Sequence, residues 1–361
     1  MALSGNKGEW SEIYTLLKVI GDKHLYAGDR RLNKIEALVF PIIKVLREES
    51  HGTYTFSYED DLVVINGKNE TCRIPIVSFQ KQAVYLLAKL KQSTSRTFAI
   101  PAIERFIQLF QCKSLKASSS TKRDISIVIH HHSTGSTPTL GFSIKSQLGG
   151  PSTLLNAGKT TNFIYKITGE KLTSSRIKAI NAIATQHKIK DRMQAIRACS
   201  GSFHFIKTAH SVFGNNLTLI DSDLPKILAA MLEKFFSSSL SKTTDLVESI
   251  AMCNPLEYNL ANNHPFYSYK IKRFLTDVAL GMMPSKTWTG KLDATGGYLI
   301  VKNDGEIRCY HVYNRNDFED YLLHNTKLET ASSARHDFGL IYENKRGEKF
   351  LKLNLQIRFI A

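Results

Sequence analysis

Two short runs that alternate between apolar and polar residues constrain this chain most. They are residues 124–129, Asp-Ile-Ser-Ile-Val-Ile, and residues 141–146, Gly-Phe-Ser-Ile-Lys-Ser. Alternation with a period of two is typical of a half-buried β-strand. The residues between the runs are mostly Ser, Thr, His, Gly and Pro, a composition typical of a loop. The sequence therefore predicts a β-hairpin.

The simplest register of this hairpin places Ile129 opposite Leu140 and Asp124 opposite Lys145. Directly opposed residues of antiparallel strands lie about 5 Å apart. This register places Asp124, the acid on the polar face of the hairpin, beside Lys145, the amine on the same face. Such a pair fits a surface salt bridge. It also fits a nuclease site, where a carboxylate holds a divalent metal ion and a lysine stabilises charge on the scissile phosphate.

The charge of the chain indicates its class of partner. Lys and Arg number 48 against 32 for Asp and Glu, which gives a formal net charge of +16 and a pI of about 9.5. Such an excess favours a polyanion, such as a nucleic acid, as the partner. A basic protein without a specific partner is the alternative.

Membrane and redox signals agree with a cytoplasmic protein. No apolar run reaches the roughly 18 residues of a membrane span, so no membrane partner is expected. Residues 1–10 lack the apolar core of a signal peptide. The five cysteines are far apart and form no C-x-x-C pair, which fits reduced thiols rather than a zinc site or a disulfide framework.

The first predicted helix carries two candidate acids. Trp10, Ile13, Leu17 and Ile20 recur at helical spacing and form one apolar stripe. Glu9 lies near the edge of this stripe, and the acid at position 12 lies somewhat outside it. Acids in a first turn also suit the helix dipole, so both fit a solvated turn as well as an active site.

Further elements follow from periodicity and turn signals. Residues 32–47 are predicted to form a helix kinked at Pro41, and residues 54–74 contain a hairpin around Asn66-Gly67. Other helices are expected at 80–91, 102–110, 174–198, 224–236, 245–252, 267–282 and 318–323. Other strands are expected at 163–167, 297–301, 307–313 and 351–359, and residues 113–123 read as a Ser/Lys-rich segment without a core.

Polar and basic side chains beyond the hairpin are candidate DNA contacts. Arg and Asn pair with base edges in a bidentate way, and small polar residues bond phosphates. Each candidate also fits an ordinary polar loop or a solvated helix face. The candidates are Asn156, Lys159, Thr160, Asn162, Arg192, Arg197, Asn314, Arg315, Arg335, His336 and Arg358.

Several longer runs, spread over both ends and the middle of the chain, match a known family. They are residues 5–12, 124–125, 141–149, 151–156, 161–163, 293–298, 313–315, 335–339 and 351–359. With these runs the chain resembles the HpaII family of type II restriction endonucleases, and the resemblance covers essentially its whole length. An Asp on one strand and an x-x-Lys run on the next also resemble the PD-(D/E)XK nucleases.

The resemblance implies an α/β fold with a PD-(D/E)XK core, a mixed sheet flanked by helices. It implies Mg²⁺-dependent cleavage of double-stranded DNA at 5′-CCGG or a related short site. Asp124 would bind the metal ion and Lys145 would be the motif lysine. Glu12, or else Glu9, would be a further metal ligand.

One position departs from the family pattern. Ser143 stands where many such enzymes have an acid, and the next acid downstream is Glu170. The second metal ligand must then come from far away in sequence, which places more weight on Glu9 and Glu12. Gln147, on the same face as Lys145, would help to hold the water or the phosphate.

The resemblance also implies a domain plan and partners. Residues 1–20 and 110–170 would form the catalytic core, with 21–109 as an insertion, 171–286 as a helical basic region and 287–361 as a β-rich recognition region. A companion DNA methyltransferase is the expected genetic partner. A palindromic site favours a homodimer, although some such enzymes act as monomers. The alternatives are a less specific nuclease of resolvase or repair type and a DNA-binding protein without catalysis.

Overall fold

The computed structural model describes residues 3–50, 52–68, 70–116, 123–130, 135–169 and 172–360. The chain divides into two compact units. Unit 1 comprises Met1–Ser152 and Leu292–Tyr321, and unit 2 comprises Thr153–Lys291 and Leu322–Ile360. Residues 117–122, 131–134 and Glu170, on which some of the predictions fall, lie outside the described residues.

The elements are mixed α and β along the whole chain. The strands are β1 Ser4–Gly5, β2 His24–Gly28, β3 Lys34–Glu49, β4 Gly52–Glu59, β5 Leu62–Asn66, β6 Thr71–Pro75, β7 Phe98–Ala99, β8 Ile125–Ile129, β9 Thr139–Ser146, β10 Thr153–Leu155, β11 Asn162–Thr168, β12 Ser202–Thr208, β13 Gly297–Val301, β14 Ile307–His311, β15 Thr326–Leu328, β16 Ile341–Glu343, β17 Lys349–Asn354 and β18 Ile357–Phe359. The helices are α1 Lys7–Asp22, α2 Ile76–Gln92, α3 Pro101–Gln108, α4 Ser174–Asn181, α5 Lys188–Ala198, α6 Ser211–Ile220, α7 Leu224–Ser237, α8 Thr243–Cys253, α9 Phe266–Leu280, α10 Arg315–His324 and α11 Ser333–His336. Within the described parts of the chain, no helix is long and apolar enough to cross a membrane.

Unit 1 is built on a large mixed sheet. Among the described residues it has nine strands in the order β2-β14-β13-β9-β8-β3-β4-β5-β6. Strand β2 also pairs with β3, so that six of these strands close into a barrel. The predicted insertion, residues 21–109, supplies β2 to β6 of this same sheet, so its boundaries do not separate it from the hairpin.

The predicted helix over residues 32–47 is wrong, because this segment forms the long strand β3. Strand β3 is paired on both edges, with β8 on one side and with β2 and then β4 on the other. Pro41 is tolerated beside a register shift between Ile42 and Lys44. Its carbonyl accepts a hydrogen bond of 2.8 Å from the His130 N–H. Long-range pairing has outweighed the local periodicity.

The predicted hairpin is confirmed as β8 and β9, but its register is shifted by two residues. Ile125 lies opposite Phe142 and Val128 opposite Thr139. Asp124 consequently lies level with Ser143, and the predicted pairing of Asp124 with Lys145 is wrong. Because side chains alternate with a period of two, a shift by two keeps the same faces together. The apolar pattern cannot distinguish these two registers.

Helix α1 confirms the first predicted helix and forms much of the core of unit 1. Its N-terminus has a capping box between Asn6 and Glu9. The stripe of Trp10, Ile13 and Leu17 is completely buried. The helix packs against α2 and β9. Its buried face therefore anchors it beside the strand that carries Lys145.

Unit 2 combines helices α4 to α9 with two small antiparallel sheets. Among its described residues the sheets have the orders β12-β11-β17-β16 and β10-β18-β15. The helix predicted over residues 174–198 is two helices, α4 and α5, and the strand predicted over 351–359 is also divided, into β17 and β18. The predicted helices over 224–236, 245–252 and 267–282 correspond to α7, α8 and α9.

Candidate active site

Asp124 is held at the start of β8 by two hydrogen bonds to one of its carboxylate oxygens. Oδ2 accepts a hydrogen bond of 2.6 Å from the backbone N–H of Ile144 and one of 3.1 Å from the hydroxyl of Ser143. The Asp124 N–H donates to the Phe142 carbonyl at 2.8 Å, which continues the β8–β9 pairing. Because Ser143 is buried, the carboxylate is fixed against the sheet.

Lys145 projects from the same face of β9 as Ser143, two residues further on. Its ammonium lies 5.3 Å from the centroid of the Tyr298 ring. Burial lowers the pKa of Lys145, and the negative charges of Asp124 and Glu12 oppose that shift. The site therefore combines a poorly solvated cation with two carboxylates.

Tyr298 was not predicted as a site residue, yet its ring lies beneath the ammonium group of Lys145. It lies on β13 level with Ser143 and is almost completely buried. Burial, with the charge of Asp124, raises the pKa of its phenol well above the ordinary value. Phe318 packs on it with ring centroids 5.4 Å apart. The matched run 293–298 contained Tyr298, but nothing in that run indicated its place beneath Lys145.

The Glu9 side chain caps the N-terminus of α1. Its Oε2 accepts a hydrogen bond of 2.8 Å from the Asn6 N–H, and its own N–H donates to Asn6 Oδ1 at 3.0 Å. Lys116 Nζ lies 3.0 Å from Glu9 Oε1. The hydrogen bond from the Asn6 N–H is the main cause that lowers the pKa of Glu9. This carboxylate acts as a helix cap.

Glu12 is the acid of α1 that is linked to the hairpin. It is partly buried and interacts electrostatically with Lys145, Lys116 and Arg47. Gln147, just beyond β9, donates its backbone N–H to the Val301 carbonyl at 2.8 Å. The charge of Glu12 thus acts on Lys145, and the role of Glu12 as a metal ligand stays a prediction.

The side chains available at this site fit a hard divalent cation. Among the described residues, no cluster of three or more His, Cys, Asp and Glu side chains can hold a metal ion. The donors present are the carboxylates of Asp124 and Glu12 and the hydroxyl of Ser143. All are oxygens, which Mg²⁺ prefers, and Mg²⁺ usually keeps several waters and needs only one or two protein carboxylates.

Two of the predicted DNA contacts are structural residues inside unit 2, which corrects the role predicted for them. Asn162 is buried and donates to the carbonyls of His336 and Asp337 at 2.8 and 3.2 Å. Arg192 is buried and donates to the carbonyls of Gly339, Asn181 and Ile183. Neither side chain is free to reach a base.

The remaining predicted contacts lie at or near the surface of their units. Lys159, Asn156 and Arg335 are exposed, while Thr160, His336 and Asn314 are partly exposed. Three arginines form ion pairs within their own units, and these pairs are Arg197 with Glu233 at 2.8 Å, Arg315 with Glu319 at 2.6 Å and Arg358 with Glu329 at 2.8 Å. The DNA-contact role of these exposed residues stays a prediction.

Comparison with known proteins defines the class: this chain is a type II restriction endonuclease, a site-specific enzyme that cleaves DNA. It belongs to the HpaII restriction endonuclease family, whose model matches residues 6–359. It is 49% identical over 360 residues to the type II restriction enzyme HpaII of Haemophilus parainfluenzae, with 99% of each chain covered. No solved structure matches the chain significantly. The predicted family and activity are confirmed, and enzymes of this type require a divalent metal ion.

Proposed function

We propose that the reaction centre of this enzyme consists of Asp124, Glu12 and Lys145. The observation that carries the proposal is the fixed Asp124 carboxylate, held by the Ser143 hydroxyl and the Ile144 N–H on the face from which Lys145 projects. The charge of Glu12 acts on the same lysine. The substrate is double-stranded DNA, and the site is 5′-CCGG or a related short sequence.

The reaction is hydrolysis of a phosphodiester. A water oxygen forms a bond to phosphorus while the bond to the 3′-oxygen breaks, which leaves 5′-phosphate and 3′-hydroxyl ends. Bound Mg²⁺ supplies polarisation of the scissile phosphate and a more acidic water. Asp124 and Glu12 would hold the cation, and Lys145 places positive charge where negative charge develops on the phosphate. Ser143 orients Asp124, and Gln147 helps to hold the water or the phosphate.

The parts that build this site support a PD-(D/E)XK core formed by α1, β8, β9, β13 and β14. An acid from the first helix, an Asp at the start of one strand and a Lys on the next are the elements of that design. We place the catalytic function in unit 1. The exposed candidates of unit 2, which include Lys159, Arg335 and Arg358, would contact DNA.

The biological setting follows from the activity. An enzyme that cuts a short palindrome would also cut the DNA of its own cell, so a companion DNA methyltransferase that protects the same site is expected. The enzyme then acts in the bacterial cytoplasm, where both proteins meet DNA. Two-fold symmetry of the site favours a homodimer, one subunit for each strand.

Cleavage of a plasmid of known sequence by Asp124→Asn and Lys145→Ala variants tests the proposal. Both variants are expected to lose at least a thousandfold in single-turnover rate, since each loses a group that stabilises the transition state. DNA binding should survive. Asp60→Asn and Lys81→Ala, at exposed positions of unit 1, serve as matched controls.

Four outcomes decide between the proposal and its alternatives. Discrete bands from the wild type at 5′-CCGG, lost in both variants, support the proposal. Wild-type rates from the Asp124 variant overturn the site assignment. A smear of fragments indicates a less selective nuclease. Binding without cleavage in Mg²⁺ or Mn²⁺ indicates a DNA-binding protein without catalysis, an alternative suggested by Ser143 in place of an acid.

A further inference from the structure

The three-stranded sheet of unit 2, β10-β18-β15, has one apolar and one basic face. Thr326 and Leu328 of β15 are buried, and so are Ile357 and Phe359 of β18. The residues between them, Lys327 and Arg358, are partly exposed on the opposite face. Both strands therefore present a cation at their centre, as the alternation of a strand requires.

These cations form a row across neighbouring chain segments. Lys327 is directly opposite Arg358 in the β15–β18 ladder. On its other side Lys327 forms an antiparallel bridge with Lys242, which is exposed. Arg358 is in turn opposite Thr153 of β10. Three positive side chains thus lie side by side, about 5 Å apart from one strand to the next.

The row carries more positive charge than its surroundings neutralise. Glu329 pairs with Arg358 at 2.8 Å. Within the part of the chain that the structure describes, Lys242 and Lys327 have no carboxylate oxygen within 4.0 Å. Like charges placed directly opposite each other destabilise a sheet. This repulsion lowers the stability of the free protein, and an anion that binds across the row reduces it.

The surface beside the row is rich in groups that donate hydrogen bonds. An open groove of about 740 Å³ begins at Ser241, next to Lys242, and at Glu329. Its lining includes the hydroxyls of Ser239, Thr330 and Ser333. Lysines 188 and 190 and His187 also line it. Hydroxyls and ammonium groups are the usual partners of phosphate oxygens in protein–DNA interfaces.

We propose that the row of Lys242, Lys327 and Arg358 binds the sugar–phosphate backbone of duplex DNA. The long side chains of neighbouring strands reach successive phosphates of one DNA strand, which carries one charge per 3.4 Å of helix rise. The row positions the duplex and does not read its sequence. This inference rests on the proposed function only in taking DNA as the substrate.

The test is the salt dependence of DNA binding by a Lys242→Ala/Lys327→Ala variant. Each lost phosphate contact lowers the slope of log Kd against log salt by about 0.9. Between 50 and 200 mM salt, the wild-type affinity should therefore fall about twelvefold more than that of the double variant. Specific and nonspecific duplexes should lose affinity alike at low salt. Lys345→Ala, an exposed cation on the turn between β16 and β17, is the matched control.

A second variant tests the inference with the opposite sign. Glu329→Gln removes the acid paired with Arg358, so it should tighten DNA binding about threefold or more and steepen the salt slope. The Lys242→Ala/Lys327→Ala variant should melt at the wild-type temperature or above, because it loses repulsion between neighbouring cations. A lower melting temperature would indicate a structural role and overturn the proposal, as would an unchanged salt slope.

Cleavage measured beside binding keeps the two proposals distinguishable. The Lys345→Ala control should cut at the wild-type rate, whereas the Lys242→Ala/Lys327→Ala variant should lose cleavage at limiting DNA in proportion to its lost affinity. If the slope is unchanged and cleavage is normal, only the row is refuted. If the slope changes as expected but the Asp124→Asn variant cleaves at the wild-type rate, only the proposed reaction centre is refuted.

Discussion

Asp124 lies opposite Ser143 across the β8–β9 hairpin, and the Ser143 hydroxyl is 3.1 Å from Asp124 Oδ2. An acid at position 143 would place two negative charges side by side. The serine instead donates a hydrogen bond and keeps the carboxylate of Asp124 in one orientation. The negative charge of the site is thereby divided between the hairpin and the first helix.

Replacement of Ser143 by alanine should weaken catalysis without abolishing it. A hydrogen bond to a charged group contributes about 1.5–3 kcal/mol, but the Ile144 N–H still holds Asp124. We expect the single-turnover rate to fall about ten- to a hundredfold, with more Mg²⁺ needed for half-maximal activity. A Mg²⁺ titration measures both, and Ser143→Thr, which keeps a hydroxyl, should recover most of the rate. Full activity of Ser143→Ala would show that Asp124 needs no second donor.

Glu9 and Glu12 should separate in their effects when each is replaced. Glu9→Ala removes the acid of the capping box, so it should lower the free energy of unfolding by about 0.5–2 kcal/mol and leave the cleavage rate unchanged. Glu12→Gln should keep the melting temperature but reduce cleavage at limiting Mg²⁺ at least tenfold. Thermal melts and Mg²⁺ titrations of both variants are the measurements. The reverse result would assign the metal ligand to Glu9.

The buried ion pair of Arg47 and Glu49 should be essential for the stability of unit 1. Arg47 Nε lies 2.8 Å from Glu49 Oε1, and both side chains are almost completely buried. Replacing one partner leaves an uncompensated buried charge, so Arg47→Met should cost about 3–5 kcal/mol in urea unfolding. The exposed pair of Arg73 and Glu59 is the control, and Arg73→Met should cost less than about 1 kcal/mol. Equal costs would contradict the role of burial.

Cysteine reactivity should follow burial. Burial raises the pKa of the Cys112 thiol from 9.0 to about 12, whereas Cys253 is exposed. At pH 8.5 a thiol reagent should therefore modify Cys253 in the native protein and spare Cys112 until the chain unfolds, which mass spectrometry can show. The unfolded state releases the Cys112 proton near pH 9 and the folded state does not. The free energy of unfolding should consequently decrease as the pH rises from about 9 to 12. Equal labelling of both thiols would refute this.

Local sequence patterns predicted much of the secondary structure because each of these elements has one apolar side. The stripe on α1 and the alternation in β8 and β9 each describe one surface facing one core. Strand β3 was missed for the opposite reason. Its apolar residues also match a helical spacing, and only the pairing with β2, β4 and β8 from distant parts of the chain selects the extended form.

By itself, the sequence determined the family, the activity on DNA and the residue types that we propose for the reaction centre. These depend on chemistry that the residues carry wherever they lie. Only the tertiary structure decided that Asp124 faces Ser143, that Glu9 caps a helix while Glu12 interacts with Lys145, and that Tyr298 lies beneath that lysine. Strand registers two residues apart bury the same apolar side chains. Contacts between distant segments then determine which polar groups meet.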